Sequence, residues 1–145
     1  MVESLIAINH GALGKCTIYF VVYFCLSHIS KGVVSWEDPT TPEIKSFASR
    51  LALSMPNITL FILNPYATFR QTTILGVDFG IWKINTTETL VLATNTKYSP
   101  VTVPLARLDL PSSGINVEQI LDTGATGNSE NIVFESVGSG AFVIN

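Results

Sequence analysis

Charged residues are scarce in this sequence, and the basic ones form no cluster. Of 145 residues, 13% are Asp, Glu, Lys or Arg, and the formal net charge is -3. A protein that binds the phosphates of a nucleic acid presents a patch or stripe of Lys and Arg. The sequence therefore predicts no nucleic-acid partner.

Cysteine is scarce as well. Cys16 and Cys25 lie nine residues apart in one apolar run. This spacing fits neither a metal-ligand set nor a disulfide framework. We expect two buried or lipid-facing thiols, and we predict no metal site and no cofactor.

Apolar residues, in contrast, make up 47% of the chain, and the most hydrophobic run covers residues 16–29. The run is shorter than the about 20 residues that a membrane-spanning helix needs. The long, acid-containing leader and the poor cleavage site that flank it do not fit a signal peptide. Its β-branched and aromatic residues favour a buried strand. Residues 16–29 are the only part of the chain through which we expect any association with a membrane.

A strand, a loop and a helix are predicted for residues 32–55. The loop carries Trp36, Glu37 and Asp38, and Thr41 caps a helix with proline and glutamate in its first turn. Apolar residues then recur at helical spacing, at Ile44, Phe47, Ala48, Leu51, Ala52 and Met55. Pro56 is expected to end the helix, which therefore covers residues 41–55. Such a unit is typical of an α/β barrel or a doubly wound sheet.

The remaining part, residues 64–145, is predicted to be a separate antiparallel β-sandwich. Six or seven short strands over about 75 residues are typical of that fold. Residues 90–94 are apolar on both faces, as in a central strand, and prolines at positions 100 and 104 indicate an edge strand. Residues 122–127 are predicted to form a loop, and residues 138–140 the turn of a last hairpin. The fold class is therefore mainly β, a small antiparallel β-sandwich preceded by a helical, barrel-remnant segment over residues 1–63.

Two short motifs resemble catalytic ones but lack the required context. Asp122-Thr123-Gly124 matches the aspartic protease triplet, whose chemistry needs a second carboxylate in a matching motif, and no such motif occurs here. Gly138-Ser139-Gly140 has strand-like flanks on both sides, whereas a nucleophile elbow is followed by a helix. We predict no catalytic residue in this chain.

Trp36, Glu37 and Asp38 form the candidate substrate-binding cluster. At the end of a barrel strand, a tryptophan ring offers a platform for a sugar, and a carboxylate accepts hydrogen bonds from sugar hydroxyls. The alternative is a core or loop tryptophan beside a helix N-terminus, where acidic residues are favoured anyway. Two sequons, at Asn57 and Asn85, are glycan acceptors if the chain is secreted.

The segments at residues 10–14 (HGALG) and 32–56 (GVVSWEDPTTPEIKSFASRLALSMP) resemble the end of the (β/α)8 barrel of fungal glycoside hydrolases. Residues 88–145 resemble the β-sandwich that follows such a barrel. The resemblance implies a secreted, extracellular parent enzyme that binds carbohydrate and in which Trp36 stacks on a sugar.

Residues 15–32 interrupt the resemblance. We hypothesise that these 18 codons are an unspliced intron, since Gly-Lys-Cys at residues 14–16 can be encoded by GGTAAGTGC, which contains the splice consensus GTAAGT. Because residue 1 falls inside the last turn of the resembled barrel, the chain is also expected to be truncated and inactive on its own. The alternatives are a stand-alone β-sandwich binding or interaction module and a small membrane-anchored protein.

Overall fold

The structure is a computed structural model that describes residues 22–24, 33–35, 42–85, 88–110 and 115–145. The helix is α1 (Pro42–Ile62), and a 3-10 helix covers Leu105–Leu108. The strands are β1 (Val22–Phe24), β2 (Val33–Ser35), β3 (Thr68–Ile74), β4 (Val77–Lys83), β5 (Thr89–Asn95), β6 (Val101–Pro104), β7 (Val117–Gly127) and β8 (Asn131–Ile144). The predicted fold class is confirmed, because the chain is mainly β and is built on a curled antiparallel sheet.

Strands β1 and β2 form a small sheet of their own. Tyr23 lies opposite Val34 in this antiparallel pair. A strand was expected in the apolar run and another before Trp36, and both are present. Neighbouring strands of a (β/α)8 barrel are parallel, so this pair is not the pairing found in a closed barrel. The division at residues 63 and 64 into a barrel remnant and a sandwich stays a prediction.

Helix α1 continues through Pro56 to Ile62, so the predicted end at residue 55 is wrong. A proline inside a helix costs about 3 kcal/mol. Ile58 and Phe61, which lie beyond it, are both buried, and burial of each such side chain contributes about 1.5–3 kcal/mol. Packing beyond the proline therefore outweighs the cost of the proline.

The six-stranded sheet is organised around β8. Its order is β3-β4-β5-β8-β6, and β7 also pairs with β8. Along one edge of β8, residues 139–144 pair with β5 and residues 131–134 pair with β6. Strand β7 pairs along the other edge. The predicted central and edge strands are confirmed as β5 and β6, respectively.

Two glycine-containing stretches that were predicted to be a loop and a turn are strand instead. Residues 122–127 belong to β7, and residues 138–140 lie inside β8. The pairing of the two strands shifts register near Gly124, where a Cβ on Gly138 would lie 2.0 Å from the carbonyl oxygen of Gly124. The glycines therefore allow two backbones to approach closely at a bulge, rather than reversing the chain.

The sheet is covered on both faces. The inner cluster fills the curl and consists of Val77, Phe79, Ile81, Val91, Ala93, Val103, Leu105, Leu108, Ala125, Ile132, Phe134, Phe142 and Ile144. The outer cluster joins α1 to the opposite face and consists of Phe47, Leu51, Ile58, Phe61, Trp82, Leu90, Leu92, Leu121 and Ala141. Helix α1 and the outer face of the sheet therefore share the outer cluster.

A side-chain contact closes the curl. Arg70 on β3 donates to Asp109 Oδ2 at 3.0 Å and to the carbonyl of Leu108, which ends the 3-10 helix that follows β6. Because β3 and β6 are the two ends of the strand order, this contact brings the edges of the sheet together.

Candidate functional site

The predicted substrate-binding cluster, Trp36, Glu37 and Asp38, lies outside the described residues. Its proposed role stays a prediction. Helix α1 begins four residues after Asp38.

Polar contacts anchor α1 to β7 beside the apolar ones. Arg50 Nη1 donates to the carbonyl of Asp122 at 2.8 Å, and Ser54 Oγ donates to the carbonyl of Ile120 at 2.6 Å. Ile120 lies at one register shift of β7 against β8, whereas Asp122 is in regular register with Gly140. Among the described strands β7 pairs with β8 alone, so its second edge leaves backbone carbonyls available as acceptors for α1. Sequence reasoning missed this joint, because its partners are 72 and 66 residues apart.

The two motifs that resemble catalytic ones meet at the register shift near Gly124. Thr123 Oγ1 donates to the carbonyl of Ser139 at 2.7 Å and lies 2.8 Å from Ser139 Oγ. Asp122 is exposed, and its Oδ1 accepts from the amide of Gly124 at 3.3 Å, within β7. Thr123 thus stabilises the contact between β7 and β8, and Ser139 is buried in the sheet.

The two sequons lie in different local structures. Asn57 is exposed on α1, although the next residue, Ile58, is fully buried, and Thr59 Oγ1 donates to the carbonyl of Pro56 at 3.0 Å. Asn85 is exposed in the turn after β4, and its Oδ1 accepts from the amide of Glu88 at 2.8 Å. Both acceptor residues face solvent, while glycosylation itself stays a prediction.

Asn95, at the end of β5, organises the loop that follows. It is fully buried, and its Nδ2 donates to the carbonyls of Ser99 and Glu135, both at 2.8 Å. Its Oδ1 accepts from the amide of Lys97 at 3.0 Å. One amide side chain thereby satisfies three backbone groups and ties the loop to β8.

The face of α1 that points away from the sheet carries large apolar side chains. Leu53 is 80% exposed and Leu60 is 67% exposed. The turn after α1 adds Leu63 and Tyr66, which line a shallow depression of about 460 Å³ together with Thr59, Leu60, Asn64 and Pro65. Sequence reasoning missed this surface, although one signal was available: no charged residue occurs between Arg50 and Arg70.

The aromatic residues of β4 and β8, which are Phe79, Trp82, Phe134 and Phe142, are buried. Tyr98 is 92% exposed, and Tyr66 and Phe69 are exposed by 84% and 42%.

Within residues 42–85, 88–110 and 115–145, together with the short strands β1 and β2, no three side chains of His, Cys, Asp or Glu are grouped as metal ligands. In the same part of the chain, no helix is both long enough and apolar enough to cross a membrane.

Comparisons with known proteins give a likeness in fold. No protein family matches the chain, and no curated protein matches it. Trehalose-6-phosphate hydrolase (TreA) of Bacillus licheniformis matches with a TM-score of 0.55 and 11% identity, over 77% of this chain and 20% of the hydrolase. The D200A mutant of MutB, in complex with glucose, matches with a TM-score of 0.47 and 18% identity, over 74% of this chain and 19% of MutB.

These structural neighbours are glycoside hydrolases. At 11% identity, the match to TreA shows a shared fold. The chain spans about a fifth of the length of either neighbour.

Proposed function

We propose that this chain is the accessory β-sandwich of a secreted fungal glycoside hydrolase and that it has no hydrolytic activity by itself. The observation that supports the proposal is the curled six-stranded sheet with α1 packed on its outer face, a fold shared with part of TreA. The sequence resemblance over residues 10–14, 32–56 and 88–145 indicates the same class of enzyme.

In this proposal α1 is the rigid joint between the sandwich and the catalytic part. Its apolar face is buried against β4, β5 and β7, and Arg50 and Ser54 add hydrogen bonds to β7. A helix held by both kinds of contact fixes the orientation of the segment before it. Trp36 would then stack on a sugar ring, and Glu37 and Asp38 would accept hydrogen bonds from its hydroxyls.

A hydrolysis assay tests the proposal that the chain has no hydrolytic activity by itself. The purified chain is incubated with a panel of nitrophenyl glycosides and with polysaccharides, and product is measured against a blank and an active glycosidase. We expect no turnover above the blank. Turnover that is lost on Glu37→Gln or Asp38→Asn would contradict the proposal and place the catalytic groups in this chain.

Gene and transcript sequences test the parent enzyme and the insert. We expect an upstream reading frame that encodes further β/α units, and a transcript in which the codon for Gly14 is joined to that for Val33. Genomic DNA that lacks GT after the first base of codon 14, or AG ending at the first base of codon 32, would rule out the intron.

A second candidate function is a stand-alone binding module, and the exposed rings of Tyr66 and Phe69 favour it. Aromatic side chains on a surface contribute much of the affinity of sugar-binding modules. The test is retention of the chain on insoluble polysaccharides. Retention that falls on Tyr66→Ala would support the module, whereas the accessory role predicts that the chain is not retained.

A further inference from the structure

The sequon at Asn57 lies inside helix α1, which continues to Ile62. An enzyme that glycosylates Asn-x-Thr reads the amide of the first residue and the hydroxyl of the third together. In an extended chain these two side chains lie on the same side, but in a helix residues two apart do not face each other. In addition, Thr59 Oγ1 is already bonded to the carbonyl of Pro56 at 3.0 Å. The helical sequon therefore does not have the form that such an enzyme reads.

The middle residue of this sequon also anchors the helix to the sheet. Ile58 is fully buried in the outer cluster, and Phe61, one turn later, is buried with it. Opening residues 57–59 into an extended conformation would remove Ile58 from that contact, so the free energy of packing opposes it. The sequon is therefore hidden in the folded chain, although Asn57 itself is exposed.

The sequon at Asn85 begins in a loop instead. The last pair of β4 with β5 is Lys83 and Thr89, and Asn85 is exposed between these strands. Its Oδ1 accepts from the amide of Glu88 at 2.8 Å, and its Nδ2 donates to Glu88 Oε2 at 3.2 Å. A sugar added at Nδ2 leaves the oxygen unchanged and leaves the nitrogen one hydrogen. The bond that holds the loop is therefore compatible with a glycan.

We propose that Asn85 is the glycan acceptor of the folded chain, and that Asn57 accepts a glycan only before α1 packs on the sheet. In the transfer, Asn85 Nδ2 forms a bond to C1 of a sugar that is activated as a glycosyl diphosphate. The bond between C1 and the diphosphate oxygen breaks, the diphosphate leaves, and the amide nitrogen loses one proton to a base of the transferase. In the cell, this modification rests on the secreted origin proposed above.

Transfer to the purified full chain tests the proposal without secretion. The probe is a soluble glucosyltransferase specific for Asn-x-Ser/Thr with UDP-glucose as donor, and peptide mapping by mass spectrometry measures the occupancy of each site. Peptides covering residues 52–62 and 80–90 give the rate at each sequon without the fold. We expect Asn85 to be modified in the folded chain at a rate close to that of its peptide. Asn57 should be modified at least about tenfold more slowly than its peptide, because only the unwound fraction reacts.

Two glycine variants separate the fold from the sequon. Ile58→Gly keeps the sequon, removes the anchor and weakens the helix, so transfer to Asn57 should rise. Leu60→Gly is the matched control, because it places a glycine in the same part of α1 at a side chain that is 67% exposed. Circular dichroism compares the folding of the variants. Asn85→Gln should abolish modification of the folded chain, whereas Asn57→Gln should leave it unchanged.

Three results would overturn the proposal. They are transfer to Asn57 in the folded chain at the rate of its peptide, no transfer to Asn85 although its peptide is modified, and an equal rise for Ile58→Gly and Leu60→Gly. The expected transfer in vitro, together with chain from its own organism that carries no glycan, would contradict the secreted origin alone and would support the constraint that the fold places on Asn57.

Discussion

Asn95 shows how one buried amide can determine the course of a loop. Its side chain satisfies the carbonyls of Ser99 and Glu135 and the amide of Lys97. A buried polar group that loses its hydrogen-bond partner costs about 1–3 kcal/mol. The residue therefore stabilises the fold through the backbone groups around it.

We predict that Asn95→Ala lowers the free energy of unfolding by about 2–4 kcal/mol, because three partly buried backbone groups lose their partner. Urea denaturation followed by circular dichroism measures the loss. The control is Asn116→Ala, since Asn116 is exposed and such substitutions usually change stability by less than about 0.5 kcal/mol. Equal losses for the two variants would contradict the role of Asn95.

At the scale of elements, α1 tolerates a proline because its distal turn is buried. The interior proline removes one helical hydrogen bond, yet Ile58 and Phe61 remain packed on the sheet. The part of the helix beyond Pro56 therefore forms in spite of the proline, because the helix is in contact with β4, β5 and β7.

We predict that Pro56→Ala stabilises the protein by about 1–2 kcal/mol. The helix regains a hydrogen bond and avoids the steric cost of the ring, while the greater freedom of the unfolded chain offsets part of the gain. Thermal and urea unfolding measure the change. Ala52→Gly, one turn earlier and also exposed, should destabilise by about 1 kcal/mol. A loss of stability for Pro56→Ala would mean that the sheet requires a bend at the proline.

Local patterns predicted the strands whose pairing partners are close in sequence. The run at residues 90–94, which is apolar on both faces, was sufficient to predict β5. The rule that proline stays at sheet edges was sufficient for β6. The end of α1 and the path of β8 could not be predicted in this way, because distant packing decides whether Pro56 ends a helix and whether Gly138 reverses a strand.

Neither the contacts that hold α1 to β7 nor the exposed apolar face of α1 were predicted from the sequence. Arg50 and Asp122 meet across a fold whose curvature is set by bulges, and no local period encodes that meeting. The exposed apolar face of α1 was missed because the helix was expected to end before Leu60. The candidate residues that the sequence does single out, Trp36, Glu37 and Asp38, lie outside the described part of the chain.

At the scale of the whole molecule, α1 and the sheet behave as one unit. The outer face of the sheet contains Trp82, Leu90 and Leu92, which are covered by α1. Removal of the helix would expose these side chains to water, and each contributes about 1.5–3 kcal/mol when buried.

We therefore predict that a chain covering residues 42–145 unfolds in a single cooperative transition, whereas a chain covering residues 64–145 does not. Coincident urea transitions by circular dichroism and tryptophan fluorescence test the first part, because Trp82 reports directly on the contact between helix and sheet. Binding of an apolar dye by the shorter chain tests the second. A shorter chain with a cooperative transition and no dye binding would place the domain boundary at residue 64.

The position of β8 in the strand order also governs when this protein can fold. Strands β6 and β7 pair with β8, and β5 needs β8 to cover its second edge. Before β8 pairs with it, β5 has one unpaired edge, and its residues, all of which are buried in the folded protein, are still exposed. Such edges are sites of aggregation. Pairing between distant segments is slow, on a scale of milliseconds to seconds. The yield of soluble protein should therefore depend less on the stability of the native state than on the time during which the edge of β5 is unpaired. Substitutions in β8 that slow its pairing with β5 would lower the yield even where the folded state is unchanged.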